Sequence, residues 1–170
     1  MSSFTPISPE AFNESPFRII GDEWMLISAP DDTKESGLSA MTASWGGLGV
    51  LWNENVATVY IRPQRYTYSL VEKCDRFALC FFDEKYKKAL GLCGSKSGRD
   101  MDKLKECGLT SEDIDGVSVI SEAKTAMICK KLYADDLREE KFIDRDHLSH
   151  YNGDFHRFYI VKIEKILVKQ

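Results

Sequence analysis

Short apolar segments rich in β-forming residues dominate the first half of the chain, and each one ends at turn-forming residues. The clearest are WMLISA (24–29), LSAMTAS (38–44), VATVYIR (56–62) and RFALCFF (76–82). Segments of this length, bounded by turn sequences such as APDD and WNEN, are typical of buried β-strands. The sequence therefore predicts a sheet or barrel.

The same pattern returns in the second half, in VSVIS (117–121) and TAMICKKLYAD (125–135). The last segment, residues 155–168, alternates apolar and polar residues up to Ile163 and then changes phase. This predicts one long final strand with a bulge or a switch of face. The polar stretch 135–154 predicts a loop with one or two helical turns.

Three short segments have helical spacing instead, at residues 67–74, 83–92 and 99–109. The second begins with Asp83 as a cap, and the third has acidic residues at its start and Gly108 just past its end. Six to eight strands with three short helices and no regular βαβ alternation predict a mostly-β α+β fold. We expect an antiparallel sheet closed or folded on itself into a barrel, with the helices at its edge.

A chain of 170 residues is long enough for one well-packed domain and short for two, so we expect a single domain over residues 1–170. The formal net charge of −4 argues against a nucleic-acid partner. No signal-peptide pattern and no long apolar run occur, so we expect no membrane segment. Five cysteines, never at C-x-x-C spacing, indicate reduced thiols and a cytoplasmic protein.

The segment MTASWGGLGVLWN (41–53) has the glycine content of a nucleotide-binding loop but not its spacing. A dinucleotide fingerprint needs Gly-x-Gly-x-x-Gly between a strand and a helix, and a P-loop needs a following Gly-Lys-Ser/Thr. Neither occurs here. Thr42 and Ser44 alternate with apolar residues, which predicts a strand face carrying hydroxyls before the chain turns at Trp45.

A second cluster, YIRPQRYT (60–67), places Arg62 and Arg65 on either side of Pro63, which ends the preceding strand. Two guanidiniums, the Thr67 hydroxyl and the free N–H groups of the next helix would suit a phosphate monoester. The alternative is a solvated turn with two surface arginines.

The third cluster, CGSKSGRDMDK (93–103), again combines hydroxyls, cations and flexible backbone just before a predicted helix. Its composition is that of an anion site, although a polar loop between helices explains it too. Two such loops in an otherwise acidic protein together favour a bound anion.

The three histidines, His147, His150 and His156, lie in an aspartate-rich stretch. His147 and His150 have the spacing of helical neighbours, but a polar loop is the commoner outcome, so we expect no metal site. No Ser/His/Asp or Cys/His spacing stands out, so the sequence offers no support for a hydrolase.

A resemblance to the flavin reductase-like, FMN-binding split-barrel proteins, including the flavoredoxin type, is carried by four segments in this order: MTASWGGLGVLWN, VYIRPQRYTYSLVEK, FALCFFDEKYKKALGLCGSKSGRDMDK and YNGDFHRFYIVKIEKIL. It extends over residues 24–167. It implies a split β-barrel of Greek-key type with a few short helices, assembled as a homodimer with FMN near the interface. The implied activity is hydride transfer from NAD(P)H to bound flavin and on to an acceptor. The alternative within the family is an FMN-holding electron carrier that a partner protein reduces.

Carried over by position, the resemblance implies a cofactor-binding set. The residues along the flavin and its ribityl chain would be Thr42, Ala43, Ser44 and Trp45. Those around the phosphate or the ring rim would be Arg62, Pro63, Gln64, Tyr66, Thr67, Ser95, Lys96, Ser97 and Gly98. We expect Arg62 and the loop around Lys96 to hold the phosphate, and the resemblance makes His156 a candidate proton donor. Cations, hydroxyls and an apolar wall are what FMN requires.

Overall fold

The computed structural model describes residues 3–169, and ten β-strands and three α-helices lie within that range. The strands are β1 (Phe4–Ile7), β2 (Met25–Pro30), β3 (Leu38–Ala43), β4 (Gly46–Leu51), β5 (Glu54–Ile61), β6 (Arg76–Phe81), β7 (Ser111–Ile114), β8 (Val117–Ile120), β9 (Thr125–Asp136) and β10 (Arg157–Lys169). The α-helices are α1 (Tyr66–Lys73), α2 (Lys87–Ser95) and α3 (Lys103–Glu106). Short 3₁₀ helices cover Pro9–Ala11, Glu84–Tyr86, Glu139–Lys141 and Arg145–His150, and a π-helical segment covers Phe17–Asp22.

The main sheet is antiparallel, with the strand order β3-β2-β6-β9-β10-β5-β4 and with β1 added beside β10. Its edge strands, β3 and β4, are at opposite ends of this order, yet only Ser44 and Trp45 separate them in sequence. Because three peptide units span at most about 11 Å, the sheet must curl until its edges approach each other there. No β3–β4 ladder forms within the described residues. The result is the predicted split barrel, a curled sheet that does not close.

Alternation along the strands divides the core into two clusters on the two faces of the curled sheet. On β2, for example, Ile27 belongs to the cluster that includes Val59 and Tyr159, whereas Leu26 belongs to the other. The second cluster includes side chains of α2, α3 and β8, such as Leu104, so these elements cover that face. Each large apolar side chain buried in this way contributes about 1.5–3 kcal/mol.

The last strand, β10, pairs with three neighbours. It pairs with β9 along its length, with β5 through Arg157–Lys162, and with β1 through Ile166–Lys169. Its register against β9 shifts between Ile160 and Val161 and again between Ile163 and Lys165. The predicted bulge near Ile163 is therefore confirmed, and bulges of this kind bend a strand away from a straight course.

The seven strand segments read from the sequence all form strands, and the predicted mostly-β α+β class is confirmed. The third predicted helix is shorter than expected: only Lys103–Glu106 is α-helical, and the Asp102 carboxylate caps it by accepting from the Lys105 N–H at 3.2 Å. The second starts with a 3₁₀ turn and extends to Ser95. Residues 137–156 form a loop with two 3₁₀ helices, as predicted.

The sequence does not predict strand β4, because this strand is rich in glycine. In the structure its glycines allow β4 to pair closely with β5 and do not form a turn. A Cβ on Gly46 would lie 2.8 Å from the Thr58 carbonyl oxygen, and one on Gly47 would lie 3.1 Å from the Thr58 hydroxyl. The β4–β5 turn is made by Trp52 and Asn53, both with positive φ, which matches the twist of a two-residue hairpin. No helix within residues 3–169 is long and apolar enough to cross a membrane.

Candidate functional site

Two adjoining pockets open where the ends of β3 and β5 meet α1 and the loop after α2. The first, here called the basic pocket, has a volume of about 210 Å³ and is lined by Gln64, Arg65, Tyr66, Thr67, Gly94, Ser95, Lys96, Ser97, Gly98, Arg99 and Lys103. The second, the aromatic pocket, has a volume of about 160 Å³ and is lined by Met41, Thr42, Ala43, Ser44, Trp45, Tyr60, Arg62, Arg65 and His156. Arg65 lines both pockets and so marks where they meet.

The basic pocket gathers four cations that pair with no carboxylate in the part of the chain that the structure describes. Within residues 3–169, no ion pair includes Arg65, Lys96, Arg99 or Lys103. Arg65 Nη2 donates to the Cys93 carbonyl at 3.3 Å, and Arg99 Nη1 donates to the Gln64 carbonyl at 3.2 Å. Backbone carbonyls orient these groups without neutralising them, so the pocket attracts an anion.

Lys103 is the most deeply buried of these cations, with only 4% of its surface exposed. Its Nζ donates to the carbonyls of Cys93 at 3.0 Å and Lys96 at 3.3 Å. Burial lowers the pKa of Lys103 to about 8, because an ammonium loses hydration there. Burial also lowers the pKa of Arg65. Both shifts indicate cations that an anionic ligand would stabilise.

The wall of the basic pocket depends on close packing at Gly98. A Cβ there would lie 2.5 Å from Tyr66 Cδ1 and 2.6 Å from Ser39 Oγ. The Tyr66 hydroxyl donates to Asp31 Oδ2 at 2.9 Å, which holds the ring in place. The Arg99 guanidinium lies over that ring, 5.5 Å from its centroid. Only glycine fits between the loop and this fixed ring.

In the aromatic pocket, Trp45 meets two histidines edge to face. Its ring centroid lies 5.4 Å from that of His150 and 5.3 Å from that of His156. The Tyr60 ring is also edge to face with His156, with the two ring centroids 6.2 Å apart. Trp45 keeps 46% of its surface exposed, so this aromatic wall is accessible to a flat ligand.

His156 is buried and neutral. Its Nδ1 lies 2.7 Å from the Tyr151 hydroxyl. Burial, and to a lesser degree the nearby Arg62, lowers the pKa of His156 to about 4. Since its carbonyl also accepts from the Leu137 N–H at 2.9 Å, the residue is held at the rim of the pocket in one orientation.

Arg62 is engaged by its own loop. Its Nη1 pairs with Asp154, its Nη2 donates to the His150 carbonyl at 2.8 Å, and its guanidinium lies 5.0 Å from the Tyr151 ring centroid. Gln64 Nε2 donates to the same Asp154 carboxylate at 2.9 Å. The hydrogen bonds from the Asn152 backbone, Arg62 and Gln64 keep the pKa of Asp154 well below its usual range. Arg62 therefore fixes residues 150–156 against the end of β5.

The structure brings most of the sequence-predicted site residues to these two pockets. The aromatic pocket contains Thr42, Ala43, Ser44, Trp45, Arg62 and His156. The basic pocket contains Gln64, Tyr66, Thr67, Ser95, Lys96, Ser97 and Gly98. Pro63 lines neither pocket. The Thr42 hydroxyl donates to the Leu90 carbonyl and so anchors α2 to β3.

Several residues that line the two pockets are absent from the cofactor-binding set predicted from the sequence. Arg65 and Arg99 belong to the two basic clusters, so their composition could have included them. Tyr60 lies two residues before Arg62, near the end of a predicted strand. Lys103 is the last residue of CGSKSGRDMDK, so the same composition signal covers it. Among residues 3–169, no three His, Cys, Asp or Glu side chains are placed to bind one metal ion.

The comparisons with known proteins agree with this fold. The family model described as flavin reductase like domain matches residues 17–170. The chain is similar to a flavoredoxin from Methanosarcina acetivorans, with 17% identity, 87% of this chain and 69% of that chain covered, and a TM-score of 0.67. It is also similar to an FMN-binding domain of a flavin reductases-like enzyme from Shewanella baltica OS155, with 14% identity, coverage of 98% and 77%, and a TM-score of 0.68.

A third similar structure is the styrene monooxygenase flavin reductase of Pseudomonas putida S12, with 12% identity, coverage of 85% and 77%, and a TM-score of 0.62. At such identities the structural likeness establishes the fold alone. No curated protein sequence matches the chain. The family model, however, spans most of the sequence, including every residue that lines the two pockets. The chain therefore belongs to the family of flavin reductase like domains.

Proposed function

We propose that this protein is a single-domain, FMN-dependent oxidoreductase of the flavin reductase type, which accepts a hydride from NAD(P)H and passes electrons to an acceptor. One observation carries the proposal: a pocket of cations without carboxylate partners among the described residues adjoins a pocket walled by aromatic rings, with Arg65 lining both. FMN has a dianionic phosphate at one end and a flat ring at the other. A ligand of that form matches both pockets at once.

The phosphate belongs to the basic pocket in this proposal. Arg65, Arg99 and Lys103 supply donors with positive charge, and the Ser97 hydroxyl, whose oxygen accepts from the Arg99 N–H at 3.2 Å, supplies a neutral one. Because Gly98 has no side chain, the loop backbone can lie close to the Tyr66 ring. The loop therefore leaves the pocket open. Charge-assisted bonds of this kind contribute about 1.5–3 kcal/mol each.

The ring of the flavin belongs to the aromatic pocket, against Trp45 and the end of β3. Bound FMN supplies the capacity to accept and release a hydride, which no side chain has. His156 is positioned to hold a proton at this end, because Tyr151 occupies its Nδ1 and leaves Nε2 as the other proton-carrying atom. Its burial keeps the ring neutral at pH 7. The neutral ring can then donate a hydrogen bond from Nε2, or accept one there in the other tautomer.

We also propose a homodimer in which a second copy covers the open side of the aromatic pocket. Phe17 and Trp45, which are 89% and 46% exposed, line one cavity next to that pocket, and Val50 and Trp52, 73% and 57% exposed, lie towards the tip of the β4–β5 hairpin. Exposed apolar side chains of this size support an interface. All five cysteines are free, which supports a reducing, cytoplasmic location.

Titration of the purified protein with FMN, followed by flavin fluorescence, tests the proposal. We expect tight binding of FMN and weaker binding of riboflavin, which lacks the phosphate. A protein that binds neither ligand would refute the assignment.

Anaerobic addition of NADH and of NADPH to the FMN-loaded protein then tests the hydride donor. We expect rapid bleaching of the flavin absorbance by at least one of them. If neither bleaches the flavin and a reducing partner protein does, the chain is an electron carrier of the flavoredoxin kind. Sedimentation of the same sample checks the dimer.

A further inference from the structure

Two lysines of the same short helix differ completely in their surroundings. Lys103 is 4% exposed and lines the basic pocket, whereas the Lys105 side chain is 64% exposed and pairs with Glu35. Burying an ammonium is costly unless its charge is compensated. Lys103 has no carboxylate partner within residues 3–169, so its buried charge is not compensated by an ion pair. The stability of α3 does not explain why this lysine is buried.

The hydrogen bonds of Lys103 leave one donor available. An ammonium has three N–H donors, and within the described residues only the carbonyls of Cys93 and Lys96 accept from Lys103 Nζ. These two carbonyls lie at the end of α2 and just after it, beside the pocket. Lys103 therefore joins both ends of the pocket loop and still has an N–H for a ligand.

Lys103 is the buried group of this pocket that changes charge in mildly alkaline solution, whereas Lys96, the other lysine of the lining, is exposed. Burial raises the pKa of the Cys93 thiol to about 12, which keeps it neutral there, and burial also raises the pKa of the Cys107 thiol above its ordinary value. Arg65 and Arg99 keep their charge, as guanidiniums do in proteins. The carboxylate of Asp102 faces the other way, accepting from the Ser36 hydroxyl at 2.9 Å and the Ser36 N–H at 3.0 Å.

We infer that Lys103 makes the binding of a phosphorylated flavin depend on pH, by placing one removable positive charge beneath the phosphate. This inference rests on the proposed function and adds a property to it: selectivity for the phosphorylated over the unphosphorylated flavin is highest near neutrality and declines in alkaline solution. A bound dianion stabilises the ammonium, so the complex retains its proton to a higher pH than the free protein does.

The sign of the effect follows from proton linkage. Burial sets the pKa of Lys103 in the free protein at about 8. The phosphate itself does not titrate above neutrality, since its second pKa is about 6. Above pH 8, binding must take up a proton, and affinity then falls by as much as about tenfold per pH unit.

The dissociation constants of FMN and riboflavin, measured by flavin fluorescence from pH 7 to 9.5, test the inference in wild-type protein. We expect the FMN affinity to fall above pH 8 and the riboflavin affinity to stay level. Any titration of the flavin ring changes both dissociation constants alike and cancels in their ratio, because the two ligands share the ring. A constant ratio of the two affinities across this range would overturn the inference, even though binding of FMN itself would uphold the proposed function.

The variants Lys103→Met, Lys103→Arg and Lys105→Met complete the test. Lys103→Met should bind FMN more weakly at pH 7 and lose the pH dependence, and Lys103→Arg should lose the pH dependence because its charge is permanent. Lys105→Met, on the same helix, should keep the wild-type profile. Inorganic phosphate, titrated against the wild-type protein, separates the two ideas: pH-dependent phosphate binding without FMN binding would refute the proposed function and leave the anion site.

Discussion

The backbone N–H of Arg65 donates to the carbonyl of Arg62 at 3.0 Å, so one tight turn joins two arginines that serve different pockets. Arg62 turns towards Asp154 and the aromatic pocket. Arg65 lies at the boundary of both pockets and has no carboxylate partner within residues 3–169. The phosphate role assigned to Arg62 from the sequence is therefore better suited to Arg65.

Replacement of Arg65 should separate FMN from riboflavin. We expect Arg65→Met to weaken FMN binding by about 10- to 150-fold, the value of one charge-assisted hydrogen bond. Riboflavin should lose little, because it has no phosphate. Fluorescence titration with both ligands measures the difference.

The matched control is Arg62→Met, three residues earlier. It breaks the contacts to Asp154 and the His150 carbonyl, so we expect it to weaken both flavins to a similar degree. A loss confined to FMN in Arg62→Met, with Arg65→Met unaffected, would return the phosphate to Arg62.

A methyl group at Gly98 should disturb the basic pocket. The added Cβ would lie 2.5 Å from the Tyr66 ring, which its hydrogen bond to Asp31 holds in place. We expect Gly98→Ala to lower the free energy of unfolding by about 1–3 kcal/mol, as overpacking does, and to weaken FMN binding. Urea denaturation measures the first effect.

Gly91→Ala provides the comparison for Gly98→Ala. Gly91 lies within α2, and a Cβ there would meet no atom within 4 Å. Alanine is favoured over glycine inside a helix by about 0.5–1 kcal/mol, so this variant should be as stable as wild type or more so. Equal losses in both variants would show that the Tyr66 contact is not the cause.

His156 should make the protein less stable in acid. Its pKa is lowered from 6.5 to about 4 by burial, so between these values the unfolded chain binds a proton that the folded chain does not. The stability due to the neutral ring is complete above pH 6.5 and declines as the pH falls towards 4. The free energy of unfolding should fall more between pH 7 and pH 4.5 in wild type than in His156→Gln.

His147→Gln is the control for this measurement. The His147 side chain is 64% exposed and lies in the same loop region. Its replacement should leave the acid-induced loss of stability as it is in wild type. Parallel curves for wild type and His156→Gln would contradict a neutral, buried His156.

Most of the sheet could be predicted because its strands are buried and their apolar residues show it directly. VATVYIR is an example, since its β-branched residues suit a pleated, packed surface. Strand β4 could not be predicted this way, because three of its six residues are glycine, which weakens a strand when taken alone. Its pairing depends on the close approach of Gly46 and Gly47 to Thr58 on β5, a contact between two strands that a local sequence pattern does not reveal.

The site was predictable in composition but less so in the direction of its side chains. Hydroxyls and cations in YIRPQRYT and CGSKSGRDMDK indicated an anion site, and the structure places such residues around one pocket. The sequence does not distinguish Lys103 from Lys105, because α3 is a single turn whose orientation depends on the contact between Asp102 and Ser36. Contacts distant in sequence, such as this one, are therefore needed to tell which lysine is buried.

Strand β10 is the only hydrogen-bonded link, within the described residues, between the β3-β2-β6-β9 part of the main sheet and the β5-β4 hairpin. During synthesis the hairpin emerges from the ribosome about a hundred residues before the strand that attaches it. Trp45 and Arg62 belong to the early part of the chain, whereas His156 immediately precedes β10. The aromatic pocket therefore cannot assemble before residues 156–169 have been synthesised, and a nascent chain that lacks β10 has only part of its lining in place.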